Sequence, residues 1–234
     1  MLFKEIQHNA HEIKIGSTNH CFDSCEFLRK EASAESVEYF NKLKPKKDHL
    51  YFLVVAMTAG EFYGSNRNGD YFKEEDLKKY YKIFENSGVF WNHDNKDPSK
   101  SFGNVLKAFY NDKMHRIELV IEVPVEKSRH LKDYIKEGRP ISVSMGLNTP
   151  TETCSICGHV TRGSYANRCE HLKFMMNTVL HDGRKVYAIS GTPLKLFDIS
   201  FVFRPADRTA YAMLTKSASH KELGLSSVEI PSNK

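Results

Sequence analysis

The chain has 234 residues, with 34 Lys and Arg against 29 Asp and Glu, a formal charge of +5; 40% of residues are apolar and 27% charged. This is a globular balance over a length that supports one generous domain or two small ones, and no run nears the roughly 18 apolar residues of a membrane span. Membrane, collagen-like and wholly disordered classes are excluded. So is a disulfide scaffold, because the five cysteines are an odd number and Met1 to Gly16 does not read as an export signal. A charge this mild gives no footprint for nucleic acid.

In chain order, the first fifty residues are polar, with a helix expected over Glu35 to Leu43. Leu50 to Met57 reads as a buried strand. Gly60 to Asp70 is turn-rich, and Asp70 is expected to cap a helix reaching Asn86, with Leu77, Tyr80, Tyr81 and Phe84 as its apolar stripe. Val89 to Trp91 forms a short strand. Gly103–Tyr110 and Met114–Val123 make a hairpin, and Glu126 to Glu137 a helix stopped by Gly138. Pro140–Leu147 is a strand, followed by a Thr/Cys/Gly-rich insertion. Asp182-Gly183 marks a second hairpin between Val179–Leu180 and Lys185–Ile189, Leu196–Phe203 is the last strand, and a mobile tail is expected after Thr215. Six or seven strands with about three helices, many of them joined by hairpins, indicate an α+β fold on a largely antiparallel sheet or barrel.

Four groups of residues carry possible chemistry. In Pro140–Leu147, alternation places Ile141, Val143 and Met145 on one face and Ser142, Ser144 and Gly146 on the other, where the glycine leaves room for a ligand backbone. His93 follows a buried strand in the polar turn Asn92-His93-Asp94-Asn95, a place where a scaffold holds an accessible side chain. Asp198 sits within an apolar strand whose other face is Phe197, Ile199, Phe201 and Phe203. Such a carboxylate needs a partner, a histidine or an arginine, although Arg204 and Asp207 also offer a plain structural ion pair. Cys154-x2-Cys157, then Cys169-x-His171, supplies three thiolates and an imidazole for a tetrahedral zinc ion, with His159 as the other choice of fourth ligand. Four protein ligands close such a site, so the zinc is expected to be structural. Cys21 and Cys25, beside His20, read as core thiols, and Gly60–Asp70 lacks the Lys-Ser/Thr of a phosphate loop.

Taken in order, Asn66-Arg67-Asn68-Gly69-Asp70-Tyr71-Phe72, Trp91-Asn92-His93-Asp94, Gly103-Asn104-Val105, Val143-Ser144-Met145-Gly146, the Cys154–His171 cluster and Phe197-Asp198-Ile199-Ser200 with Arg204-Pro205-Ala206-Asp207 resemble the prohead maturation proteases of tailed bacteriophages. The likeness is to the large-phage branch with a cysteine-rich insertion, itself related to the herpesvirus maturation protease, and it spans Leu50 to Tyr211. It implies a mostly antiparallel β-barrel with peripheral helices and a serine endopeptidase. Ser144 would be the nucleophile, His93 the general base and Asp198 the third member, with Arg204 a candidate oxyanion donor. It divides the chain into a polar extension (1–48), a protease domain (49–214) with a zinc-binding insertion (148–175) and a tail (215–234). It also implies work inside the prohead in the host cytoplasm, on capsid and scaffold proteins, with no membrane or direct nucleic-acid partner and an oligomeric state left open, a dimer included. Glutamate-directed cleavage in the family makes Ser33-Ala34-Glu35, Ser36-Val37-Glu38 and Ser227-Val228-Glu229 candidate self-processing sites. The alternatives are a His-metal nuclease and a zinc-stabilised, non-enzymatic capsid or scaffold component.

Overall fold

The computed structural model describes residues 31–137 and 139–217. Cys21, Cys25, Gly138 and the triplet Ser227-Val228-Glu229 lie outside the described residues. The fold is mixed α+β. Seven strands form one curled sheet in the order β11-β1-β5-β4-β3-β10-β6: β11 Ala212–Ser217, β1 His49–Thr58, β5 Arg116–Pro124, β4 Gly103–Asn111, β3 Gly88–Trp91, β10 Lys195–Val202 and β6 Ser142–Asn148. All neighbours are antiparallel except β3 and β10. The two edges approach each other, because Ser142 of β6 bridges to Tyr211 just before β11 and Val143 N–H donates to Ala210 O. A smaller sheet, in the order β2-β9-β7-β8, joins β2 Asp70–Tyr71, β9 Ala188–Ser190, β7 Thr151–Cys154 and β8 Val160–Arg162.

The unbroken apolar run of β1 has a simple cause: both of its faces are covered. Leu50, Phe52, Val54 and Ala56 point into the main core with Ile117, Leu119, Ile121 and Val123 of β5. Tyr51, Leu53 and Val55 point outward under helix α1, Ala34–Lys42, whose Phe40 is buried against them. Burying one such aromatic stabilises by roughly 1.5–3 kcal/mol. Lys216 of β11 donates to the carbonyls of Phe40, Asn41 and Leu43, placing a cation on the C-terminal carbonyls of α1. The chain is therefore a paired strand through Ser217, not a mobile tail from Thr215 as the sequence suggests. Two of the candidate processing triplets lie in and at the cap of α1, with Ser36 fully buried. Cleavage there requires α1 to leave the sheet.

Beneath α1 lies a buried ion pair. The Arg116 guanidinium is 2.8 Å from Glu118 Oε1, with 1% and 0% of the two side chains exposed. The same carboxylate accepts from Asn111 Nδ2 at 2.8 Å, Ser36 Oγ at 2.6 Å, and Ser33 N–H and Oγ at 3.0 Å each. Burial alone would raise the Glu118 pKa, but Arg116 and these donors outweigh it and hold the group below its ordinary value.

Asp70 does not cap a helix. It is drawn into β2 by pairing with Ala188, and the following helix, α2 (Glu74–Tyr80), starts after Lys73 and passes into a 3-10 turn at Tyr81–Phe84. Leu77 and Phe84 of the expected stripe are buried. The hairpin at Asp182-Gly183 shrinks to a single bridge, Val179 with Lys185.

Removing one partner of the buried pair leaves a bare charge, so Glu118→Ala is expected to cost about 3–5 kcal/mol in thermal unfolding at neutral pH. The depressed carboxyl contributes fully above its ordinary value of 4.5 and loses that contribution as pH falls through its lower folded value. Melting curves from pH 7 downward should therefore show a weaker acid dependence in Glu118→Ala than in wild type.

Candidate functional site

Three strand segments bring the central residues together. β6 and β10 pair so that Ser144 lies opposite Ser200 and Gly146 opposite Asp198. β3 runs parallel to β10 with Phe90 beside Ser200, and ends in the turn that carries His93. Asn92 and His93 both adopt left-handed backbone, φ 47° and 59°, at a cost of roughly 1–3 kcal/mol each. The turn is held by Asn92 N–H to Phe201 O at 2.9 Å and His93 N–H to Ser200 Oγ at 3.1 Å.

His93 Nδ1 meets Asp198 Oδ2 at 2.9 Å, with the imidazole 40% exposed and the carboxylate fully buried. Ser200 Oγ donates to the same oxygen at 2.6 Å. Burial would raise the Asp198 pKa, but the hydrogen bonds from His93 and Ser200, with a smaller contribution from the nearby Asn95, hold it below the usual carboxylate range. An ionised carboxylate only accepts, so Nδ1 carries the proton and Nε2 is the basic nitrogen. Asp198 Oδ1 is buried without a hydrogen-bond partner. It packs against Gly146, where a Cβ would stand 2.0 Å from Oδ1 and 2.3 Å from the Phe197 ring. The space at Gly146 is thus filled by the protein's own carboxylate and is not left open for a ligand backbone.

The two hydroxyls of β6 behave differently. Ser142 Oγ donates to Val202 O at 2.6 Å and is structural. Ser144, 6% exposed, has no hydrogen-bond partner among the described residues and lines the same cleft as His93. That cleft, about 710 Å³, is ringed by Arg67, Lys185, Arg204 and Arg208, with Asn68 and Asn177, and no carboxylate lines it. Burial and the Arg208 charge lower the Lys185 pKa, as a concentrated positive potential would. Arg204 makes no pair with Asp207, which instead accepts from Thr58 N–H and Oγ1 and from Thr209. A second cleft of about 330 Å³, lined by Met145, Leu147, Phe197, Asp70 and Glu152, meets the first at His93, Asn68 and Ala206. Phe197 is 50% exposed there, unlike Ile199 and Phe201 of the face the sequence assigns it to, because a bulge between Leu196 and Asp198 shifts its register; Phe203, just beyond β10, is 66% exposed.

The cysteine cluster forms a separate centre in the smaller sheet. The ligand atoms of Cys154, Cys157, Cys169 and His171 all lie within 4.8 Å of one another. Tetrahedral zinc with Zn–S near 2.3 Å needs sulfurs about 3.8 Å apart, so the set fits an ion. Cys154 ends β7, and its carbonyl accepts from Gly158 N–H in the tight turn expected of a knuckle. Cys169 precedes the one-turn helix α3, Glu170–Phe174, which carries His171. Two observations test the fit. His171 Nδ1 is buried with no hydrogen-bond partner, and the His159 N–H together with His171 lowers the Cys157 thiol to about 6. His159 instead places Nε2 2.9 Å from Asn167 O. This centre braces the basic cleft: Asn177 donates to Arg67 O at 3.0 Å, and Met176 packs where a side chain at Gly69 would have to stand. Arg67 N–H in turn donates to Ala206 O.

No protein-family profile and no curated protein sequence matches this chain. Among solved structures, the capsid assembly protease of bacteriophage T4 is similar, at 16% identity and a TM-score of 0.40, over 69% of this chain and 88% of that one.

The Ser144, His93 and Asp198 positions are ones the sequence singles out. Ser200, Asn177, Lys185 and Arg208 are not. Ser200 alone left a trace, an alternating Asp-x-Ser in an apolar strand. If the cysteine cluster holds a metal ion, Cys169→Ser is expected to lower its metal content and the melting temperature, since ligation contributes folding free energy. Elemental analysis with thermal denaturation checks this, and an unchanged melting temperature in a metal-free variant would contradict it.

Proposed function

We propose that this chain is a serine endopeptidase with Ser144 as nucleophile, His93 as general base and Asp198 as the anion that orients the imidazole. One observation carries the reading: a strand hydroxyl without a partner opens into the same cleft as a histidine whose other nitrogen is tied to a buried carboxylate. A serine hydroxyl is a weak nucleophile until a base takes its proton, and Nε2 is the ring nitrogen left free to do so.

In this mechanism Ser144 Oγ attacks the scissile carbonyl as its proton passes to Nε2. Asp198 stabilises the imidazolium without itself being protonated. The imidazolium then protonates the leaving amine, and water repeats the sequence in reverse roles to free the acyl group. Backbone amides or Arg204 at the cleft wall would meet the developing oxyanion. A metal held by Cys154, Cys157, Cys169 and His171, zinc by donor set, would be structural, since all four positions are filled by protein.

The sequence resemblance to prohead maturation proteases supports capsid and scaffold proteins as substrates and the prohead interior as the place of action, and the four cations of the cleft suit acidic segments such as those cut after glutamate. No helix among the described residues is long and apolar enough to cross a membrane. Co-expression with the cognate scaffold should yield cleavage products in wild type, whereas Ser144→Ala should lose turnover by on the order of 10⁴-fold or more. Cleavage that persists in Ser144→Ala, or that requires added divalent metal, would overturn the reading in favour of a different nucleophile or a metal-dependent peptidase site.

A further inference from the structure

The His93–Asp198 pair has a third member that serine peptidase chemistry does not require. Ser200 is fully buried on β10, two residues beyond Asp198 and on the same face. Its hydroxyl is used twice. It donates to Asp198 Oδ2 at 2.6 Å, the oxygen that also receives His93 Nδ1, and it accepts the peptide N–H of His93 at 3.1 Å. One oxygen thus touches both the carboxylate and the backbone of the residue that the carboxylate orients.

The surroundings explain why this matters. The turn at Asn92 and His93 is left-handed at two consecutive non-glycine positions, so it needs anchors to persist. Asp198 Oδ1 has no donor, which leaves the carboxylate's rotation to whatever binds Oδ2. Without Ser200, that oxygen would keep one hydrogen-bond donor, the partly exposed imidazole, and the His93 amide would lose its acceptor. Ser200 also lies opposite Ser144 across the β6–β10 pair, so the anchor and the proposed nucleophile belong to one rigid ladder.

We propose that Ser200 is a positioning residue that fixes the Asp198 carboxylate and the His93 turn relative to Ser144. The proposal rests on the peptidase reading above. Ser200 touches neither substrate nor reacting atoms. It works by holding the base in the one orientation from which Nε2 faces the cleft, and by taking up part of the carboxylate's charge.

The test uses the full-length chain and three variants. Ser200→Ala is expected to lower kcat on the order of 10- to 100-fold with KM little changed, because misplacement of a base by a fraction of an ångström acts on the chemical step. The acid limb of kcat/KM should move to higher pH, because a carboxylate relieved of a donor favours the imidazolium more strongly. The other charges facing His93 are the same in both proteins: Asp94, paired with Lys100, on its own turn, and Asp70 and Glu152 in the second cleft. The basic cleft contributes Arg67, Lys185, Arg204 and Arg208 in both. Ser200→Thr, which keeps the hydroxyl, should return the limb toward wild type. Should Ser200→Ala not fold, Ser200→Cys keeps the volume while donating only weakly and carries the same test. In parallel, NMR titration of the His93 ring in Ser144→Ala, with and without Ser200→Ala, reads the pair with no turnover. There the ring is expected to titrate higher without Ser200 and its Nδ1–H signal to broaden. An acid limb and a ring titration that stay put or fall would overturn the role of Ser200, even if the rate drops. Persistence of cleavage in Ser144→Ala would instead strike the peptidase reading, and the two failures are therefore distinguishable.

Discussion

A carboxylate with no solvent-exposed surface sits on a strand between two apolar neighbours, and the residues around it keep it ionised. Asp198 is held by two donors on one oxygen, His93 Nδ1 and Ser200 Oγ, while its other oxygen presses against a glycine. In a low-dielectric setting such an arrangement is costly unless the partners are fixed, and a lost partner is felt strongly. The strained His93 turn, the absence of a side chain at Gly146 and the pairing of β3 and β6 to opposite sides of β10 all serve that one anion. Because Asp198 takes Nδ1 of His93, Nε2 is the ring nitrogen left for the cleft that Ser144 also lines.

The rest of the molecule supports this arrangement from two directions. On the outer face of the sheet, α1 is locked down through Glu118, a second buried carboxylate with a full set of partners. On the cleft side, the cysteine cluster organises a small sheet whose Met176 and Asn177 hold the loop bearing Arg67 and Asn68. That loop reaches the 204–206 segment through Arg67 N–H and Ala206 O. The Cys154, Cys157, Cys169 and His171 cluster thus shapes the wall of the basic cleft from a distance, without entering it.

Much of this is legible in the sequence where local pattern and tertiary environment agree. The apolar run of β1, the strand parity of Pro140–Leu147 and the spacing of Cys154, Cys157, Cys169 and His171 each follow from periodicity or ligand chemistry. Patterns fail where a local irregularity decides. A bulge before Asp198 turned Phe197 outward, and pairing with Ala188 made Asp70 a strand residue, not a helix cap. Periodicity also could not separate Ser142 from Ser144, since both lie on one face; only the Val202 carbonyl distinguishes them. The basic cleft was hidden because its cations come from positions as distant as 67 and 208, which no local reading joins.

The most direct test of the central claim is covalent. A fluorophosphonate probe, which phosphonylates serine hydroxyls activated by a neighbouring base, can be reacted with the full-length chain and its adduct located by tandem mass spectrometry. Modification at Ser144 that disappears in His93→Ala is the expected result. An adduct on Ser142 or another serine, or labelling of Ser144 that persists undiminished in His93→Ala, would contradict the account.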